Sequence, residues 1–171
     1  MNYIQTYQVD VEQEYKLQLE LAIDMVKEQH DCHWNKFTST DYKIKYKDNI
    51  PKYQEILLGL ITPHLEAHAA EWGCQTVSTN NIWFAEYTDG AQFGWHTHEG
   101  CNMSAVYVID LENPEDATQL HAPGQGINTM VSGELIVFPS MVPHKSPVVN
   151  EGYKLIVGIN WNMFGCHIPY K

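Results

Sequence analysis

The repeat of apolar residues changes at Gly73, and that change limits the folds open to this chain more than any other feature. Before it, Val11, Tyr15, Leu19, Ala22 and Val26 recur at steps of three and four. Leu17, Leu21 and Met25 widen the stripe, and Lys16, Glu20, Asp24 and Lys27 fill the opposite side, as an amphipathic helix over Val11–Gln29 requires. The polar stretch His30–Lys52 reads as a long loop. A second helix is predicted over Gln54–Trp72, kinked or broken near Gly59 and Pro63.

After Gly73, short segments rich in β-branched and aromatic residues alternate with turn formers: Asp89-Gly90, Glu99-Gly100, Asn113-Pro114, Pro123-Gly124-Gln125-Gly126, Ser132-Gly133 and Asn150-Glu151-Gly152. Roughly seven or eight strands fit this spacing, which predicts a barrel or sandwich. The expected protein is mostly β with N-terminal helices. It is read as one domain, residues 1–171, with 1–73 a helical support and 74–171 the β-barrel core. At 171 residues there is enough chain for one real core, and 44% apolar with 12% aromatic residues excludes disorder of the bulk.

Charge narrows the function. Ten basic residues, all of them Lys, stand against 21 acidic ones for a net charge of -11. The nearest thing to a basic strip, Lys43, Lys45 and Lys47, is flanked by Asp41 and Asp48, so direct binding to nucleic acid is not expected. With no Arg, an anionic ligand held by an ion pair must be held by Lys or His. Cys32, Cys74, Cys101 and Cys166 form no CxxC and read as ordinary reduced thiols. Without a basic-then-apolar leader or an apolar run of about 18 residues, a cytoplasmic protein with no membrane association is expected.

Histidines carry the chemistry. His96-Thr97-His98 ends a predicted strand Gln92–His98, where residues two apart share a face and both imidazoles reach one metal ion. The segment from Gly133 to His144 reads as a buried strand, a Pro-bounded turn and a third imidazole at the barrel mouth. Such a nitrogen-rich site with open positions suits iron and also accepts zinc, copper or nickel. In the last predicted strand, Tyr153–Asn162, one face is Tyr153, Leu155, Val157, Ile159 and Trp161 and packs on the helices. The other is Lys154, Ile156, Gly158, Asn160 and Asn162, with Gly158 leaving room for a ligand. A cation at Lys154, pointing inward, calls for an anionic partner, and a carboxylate ligand is the natural one.

Other candidates read as structural. His64 and His68 stand at i and i+4 on a helix surface without the Glu position of a zinc protease. The adjacent pairs Cys32-His33 and Cys166-His167 point apart. His121, in a predicted strand Gln119–Ala122, is read as structural before pocket-lining, and the sequon at Asn102 has no meaning in a cytosolic chain.

Taken together, His96-x-His98, Ser104-Ala-Val-Tyr107, Gly133-x-Leu-x-x-Phe-Pro-Ser140-x-x-x-His144 and Lys154-x-x-x-x-x-Asn160-Trp161 resemble the 2-oxoglutarate/Fe(II) oxygenases of marine phages and bacteria, which are distantly similar to the prolyl 4-hydroxylases. Four blocks in order span about Asn81–Asn162. The resemblance implies a double-stranded β-helix (jelly-roll, cupin-like) barrel, an Fe(II) centre at its mouth, and 2-oxoglutarate as co-substrate. His96 and His144 match the two histidine ligands. His98 stands where most such enzymes carry Asp or Glu, and the neighbouring Glu99 has the wrong parity to replace it. Lys154, ten residues after His144, matches the basic residue for the distal carboxylate of 2-oxoglutarate, usually Arg in the phage group. Ser104, Tyr87 and Asn160 are the implied further contacts to the co-substrate, and Val108 replaces a frequent second Tyr. Asn81, Trp83 and the loop Asn113–Gln125 are expected mouth elements. The substrate would be a small molecule or a peptide, in the host cytoplasm if the chain is phage-encoded. The rivals are a three-His cupin dioxygenase or isomerase that does not use 2-oxoglutarate, and a non-enzymatic metal- or sugar-binding barrel.

Overall fold

The computed structural model describes residues 3–9, 12–46, 49–122, 130–150 and 152–166. In chain order the elements are β1 (Gln5–Gln8), α1 (Gln13–Gln29), β2 (His33–Asn35), β3 (Thr38–Thr40), α2 (Lys52–Glu71), β4 (Thr76–Tyr87), β5 (Phe93–His96), β6 (Met103–Leu111), β7 (Gln119–Leu120), β8 (Glu134–Pro139), β9 (His144–Ser146) and β10 (Lys154–Phe164). They form three layers: the helices, a seven-stranded antiparallel sheet in the order β1-β8-β6-β10-β4-β3-β2, and a three-stranded sheet β5-β9-β7 over its other face. Neither sheet closes on itself.

Both helices form where the periodicity placed them. In α1 the buried residues are Leu19, Ala22, Ile23 and Val26, while Leu17, Leu21 and Met25 face solvent, so the buried stripe is narrower than the apolar one. In α2 Tyr53, Leu57, Ile61 and Leu65 recur every fourth residue and are fully or almost fully buried, each such aliphatic side chain contributing about 1.5–3 kcal/mol. The expected break at Pro63 does not occur. Gly59, whose carbonyl loses its partner to Pro63, lies with it on the solvent side, where the carbonyl is open to water.

Strands occur where a long loop and a purely helical support were expected. β1 pairs with β8, and the hairpin β2–β3 joins the edge of β4, so residues before Gly73 supply three strands of the large sheet. These strands are three or four residues long and mostly polar; their stability lies in the partner strand and not in a pattern of their own.

The strand β10 is central, paired with β4 on one side and β6 on the other. Leu155, Val157, Ile159 and Trp161 join the helices in one core, and Ile156 joins the second, between the sheets, with Val106, Ile136 and Phe138. The antiparallel register also corrects the reading of the thiols. It pairs Phe164 with Thr76, and its continuation sets Cys166 opposite Cys74, which are joined in a disulfide. Cys32 and Cys101 are free. No helix among the described residues is long and apolar enough to cross a membrane.

Candidate metal centre

Cross-strand pairing assembles the centre. His96 is the last residue of β5 and pairs directly with His144, the first of β9, so two imidazoles 48 positions apart in the chain become neighbours with centroids 4.1 Å apart. His98 lies beyond the end of β5, which stops two residues short of the predicted strand, so strand parity does not place it. Its backbone N–H donates to Ser140 O at 3.0 Å, and its ring centroid comes to 5.1 Å from His96 and 4.8 Å from His144. One ligating nitrogen from each of the three lies within 4.8 Å of the others.

The outer nitrogens are all engaged with oxygen. His96 Nδ1 lies 2.8 Å from Gly94 O, His144 Nδ1 3.1 Å from Val142 O, and His98 Nδ1 2.5 Å from Asn160 Oδ1. A carbonyl oxygen only accepts, so each Nδ1 carries the proton and each Nε2 presents a lone pair. Ser104 Oγ, fully buried, lies 3.1 Å from the same His98 Nδ1 and donates to Asn160 Oδ1 at 3.3 Å. Burial, reinforced by His96 and His98, pushes His144 down to about 3, and burial lowers His98 too. The His98 and His144 rings are therefore neutral at neutral pH, the form that binds a cation.

Behind the histidines the cavity, of about 450 Å³, runs between the sheets past Ala85, Val106 and Ile156 to Tyr87, Thr118 and Ser146. Lys154 is fully buried behind this end, against its wall residues Ser146 and Tyr87. Its Nζ donates to Asp116 O and to Ser146 Oγ, both at 2.9 Å, and stands 5.4 Å over the ring of Tyr87. An ammonium has three N–H groups, so one remains without a partner among the described residues. Burial drives its pKa down to about 7, with Asp116 opposing the fall. Burial pushes the Tyr87 phenol up to about 12, opposed by a hydrogen bond with Ser146. Thr118 Oγ1 and Thr38 Oγ1, on the cavity wall, are buried without a partner among the described residues.

Several expectations need amending. Gly158 does not open the lumen: a Cβ there would fall on the indole of Trp83, which crosses over it and lies 5.4 Å from the His98 ring. Asn81 is exposed on β4 and outside the cavity wall, whereas Trp83 is part of it. Of the loop Asn113–Gln125, residues 113–122 are described; Asp116 and Thr118 face Lys154 and the cavity, and 123–125 lie outside the described residues, as does His167. His121 is an exposed residue just after β7, edge-on to Trp95 and not part of the cavity wall. His68 is not on the surface. It is fully buried, its Nδ1 2.8 Å from Gln5 Oε1 and 3.0 Å from Tyr7 OH, between Trp72 and Trp161. Thr38, Thr118 and Ser146 went unread because isolated hydroxyls carry no spacing signal.

No protein-family model matches the sequence, and no curated protein matches it significantly. Solved structures do match in fold. The viral collagen prolyl hydroxylase of Paramecium Bursaria Chlorella virus-1, in its 2-oxoglutarate complex, aligns over 95% of this chain and 96% of its own, with a TM-score of 0.64 and 11% identity. A prolyl 4-hydroxylase of Pseudomonas putida aligns over 93% and 91%, at 0.64 and 16%. An oxidoreductase of the 2-oxoglutarate/Fe(II) oxygenase family from Burkholderia pseudomallei aligns over 86% and 88%, at 0.64 and 13%.

Proposed function

We propose that this chain is an Fe(II)- and 2-oxoglutarate-dependent oxygenase that hydroxylates its substrate, its two facing sheets being the walls of a double-stranded β-helix. The observation that carries the reading is the pairing of three converged imidazoles on the wall of one cavity with a wholly buried Lys154, whose Nζ contacts Ser146 and Tyr87 of that same wall. The fold shared with solved oxygenases supports it. The donor set fits the metal: three Nε2 lone pairs, each ring held by an oxygen on its far nitrogen, are ligands for a borderline divalent ion. The inner end fits a carboxylate, since it offers an unused ammonium N–H, the orphan hydroxyl of Thr118 and the polar pair Tyr87 and Ser146.

In this reading His96, His98 and His144 hold Fe(II). Lys154, with Ser146, Thr118 and Tyr87, receives the distal carboxylate of 2-oxoglutarate. Asn160 and Ser104 act one step back, keeping the proton of His98 on Nδ1. When bound, the iron and its co-substrate supply the oxidising power, turning 2-oxoglutarate and dioxygen into succinate and carbon dioxide as a C–H bond is hydroxylated. The chain's own work is to bind, orient and shield: Val106, Ile156 and Phe138 keep water from the inner end.

Because all three ligands are neutral, the site lacks the negative charge that a carboxylate at position 98 would bring. The co-substrate must supply it, so iron and 2-oxoglutarate should each raise the other's affinity by the same factor. An anaerobic titration of the full chain with Fe(II) and 2-oxoglutarate tests the reading: a metal-to-ligand absorption band forms, and oxygen then releases succinate. Iron bound without that band favours a three-His enzyme of another class, and no iron binding ends the oxygenase reading.

A further inference from the structure

The mouth of the cavity has a chemistry of its own. Two aromatic ladders climb out from neighbouring imidazoles: Phe93 meets His96 at 4.6 Å and Trp34 at 6.2 Å, while Trp83 meets His98 at 5.4 Å and Tyr42 at 5.1 Å. All four aromatic side chains line the same cavity, and their outer members stay open to solvent, Trp34 at 39% and Tyr42 at 49%. Aromatic surface left uncovered around a cavity is surface for a ligand. Two ammonium groups stand near these rings: Lys43 Nζ lies 4.1 Å over the Trp34 ring, and Lys145 is part of the wall, its Nζ 5.0 Å over Trp95, which lies outside it. Glu99 is the opposing charge on the wall. On the wall itself Lys145 and Glu99 balance, and Lys43 over Trp34 adds a cation at the rim, a local departure from a chain of net charge -11.

We propose that the substrate of this site is a flat-ring compound carrying an anionic group, its ring taken between the Trp34–Phe93 and Tyr42–Trp83 walls and its anion met by Lys43 and Lys145. The inference rests on the oxygenase reading for the reaction but not for the binding. An aromatic acid and a nucleoside monophosphate share this chemistry. Stacking is tolerant of ring type, whereas a neutral sugar or peptide has no use for the two lysines.

The test is calorimetric titration of the full chain carrying Zn(II), a redox-silent substitute, and 2-oxoglutarate. The probes are adenosine 5′-monophosphate and indole-3-acetate, each beside its neutral counterpart, adenosine or indole-3-ethanol, with maltose as the sugar. One of the anionic rings should bind about fivefold or more tighter than its neutral partner, and which one does so identifies the source. Trp34→Ala should weaken it about tenfold, and Trp34→Phe should restore most of the loss. Lys43→Gln with Lys145→Gln should erase the preference for the charged probe while leaving the neutral one unchanged. Failure of both rings to bind, equal binding of maltose, or indifference to Trp34→Ala overturns the inference. A sample that keeps zinc and 2-oxoglutarate yet fails in this way overturns it alone. Ring binding by a protein that holds no metal leaves it standing and ends the oxygenase reading.

Discussion

The two faces of β10 were made under opposite demands. Toward the helices, Leu155, Val157, Ile159 and Trp161 are at most 3% exposed and pack into the core shared with the helices, so that face serves stability. Toward the cavity, Lys154, Gly158 and Asn160 meet a carbonyl and a hydroxyl, an indole and an imidazole, each contact specific and at least one of them costly to the unliganded fold. A strand can carry both because its side chains alternate, and the burial of one face supports the expense on the other. Substitutions on the two faces should therefore fail in different assays.

The largest effect is expected on the helix side. Trp161→Ala removes the largest fully buried side chain and should cost about 3–5 kcal/mol in denaturant unfolding, while metal affinity of the folded fraction is unchanged. A loss of metal affinity without a loss of stability would erase the distinction between the faces. On the cavity side Lys154→Met should do the reverse. It weakens 2-oxoglutarate by about 2–5 kcal/mol in titration while leaving unfolding stability equal or higher, because it removes a buried ammonium. Next, Asn160→Ala frees His98 Nδ1 and should lower metal affinity about 10- to 100-fold, read by competition with a chelator, with little change in melting.

The last effect is one of pH. Lys154 titrates near 7 in the folded protein and near 10.5 when unfolded, so between these values the unfolded chain holds the extra proton. Its contribution is fully present above the unfolded value and is lost as pH falls toward 7, so stability without ligand rises with pH across that window. The slope should vanish in Lys154→Met. His144, with a folded value near 3, adds the same sign lower down: stability is lost as pH falls from 6.5 toward 3.

Alternating faces, helix stripes and turn signals were legible in order, and so were the three histidines that converge, because HxH and the Pro-bounded His144 are local patterns. The strands β1, β2 and β3 were not, being short and polar with all their pairing at long range. The bond between Cys74 and Cys166, 92 residues apart, became visible only through the register of β10 on β4, and a shift on a gel run with and without reductant reports it. Lys154 was placed inward from strand parity, but its partners Asp116 O and Ser146 Oγ come from segments whose approach no spacing announces.

Local order, then, is written in the chain: which stretches coil, which extend, and which side of β10 is oily, since periodicity and turn chemistry act between near neighbours. Packing alone decided that Trp83 occupies the space above Gly158, that Asn160 turns to His98, and that the Thr118 hydroxyl is buried without a partner among the described residues. Those outcomes depend on which distant surfaces meet, and side chains far apart in sequence exert no force on one another until the sheets have closed over them.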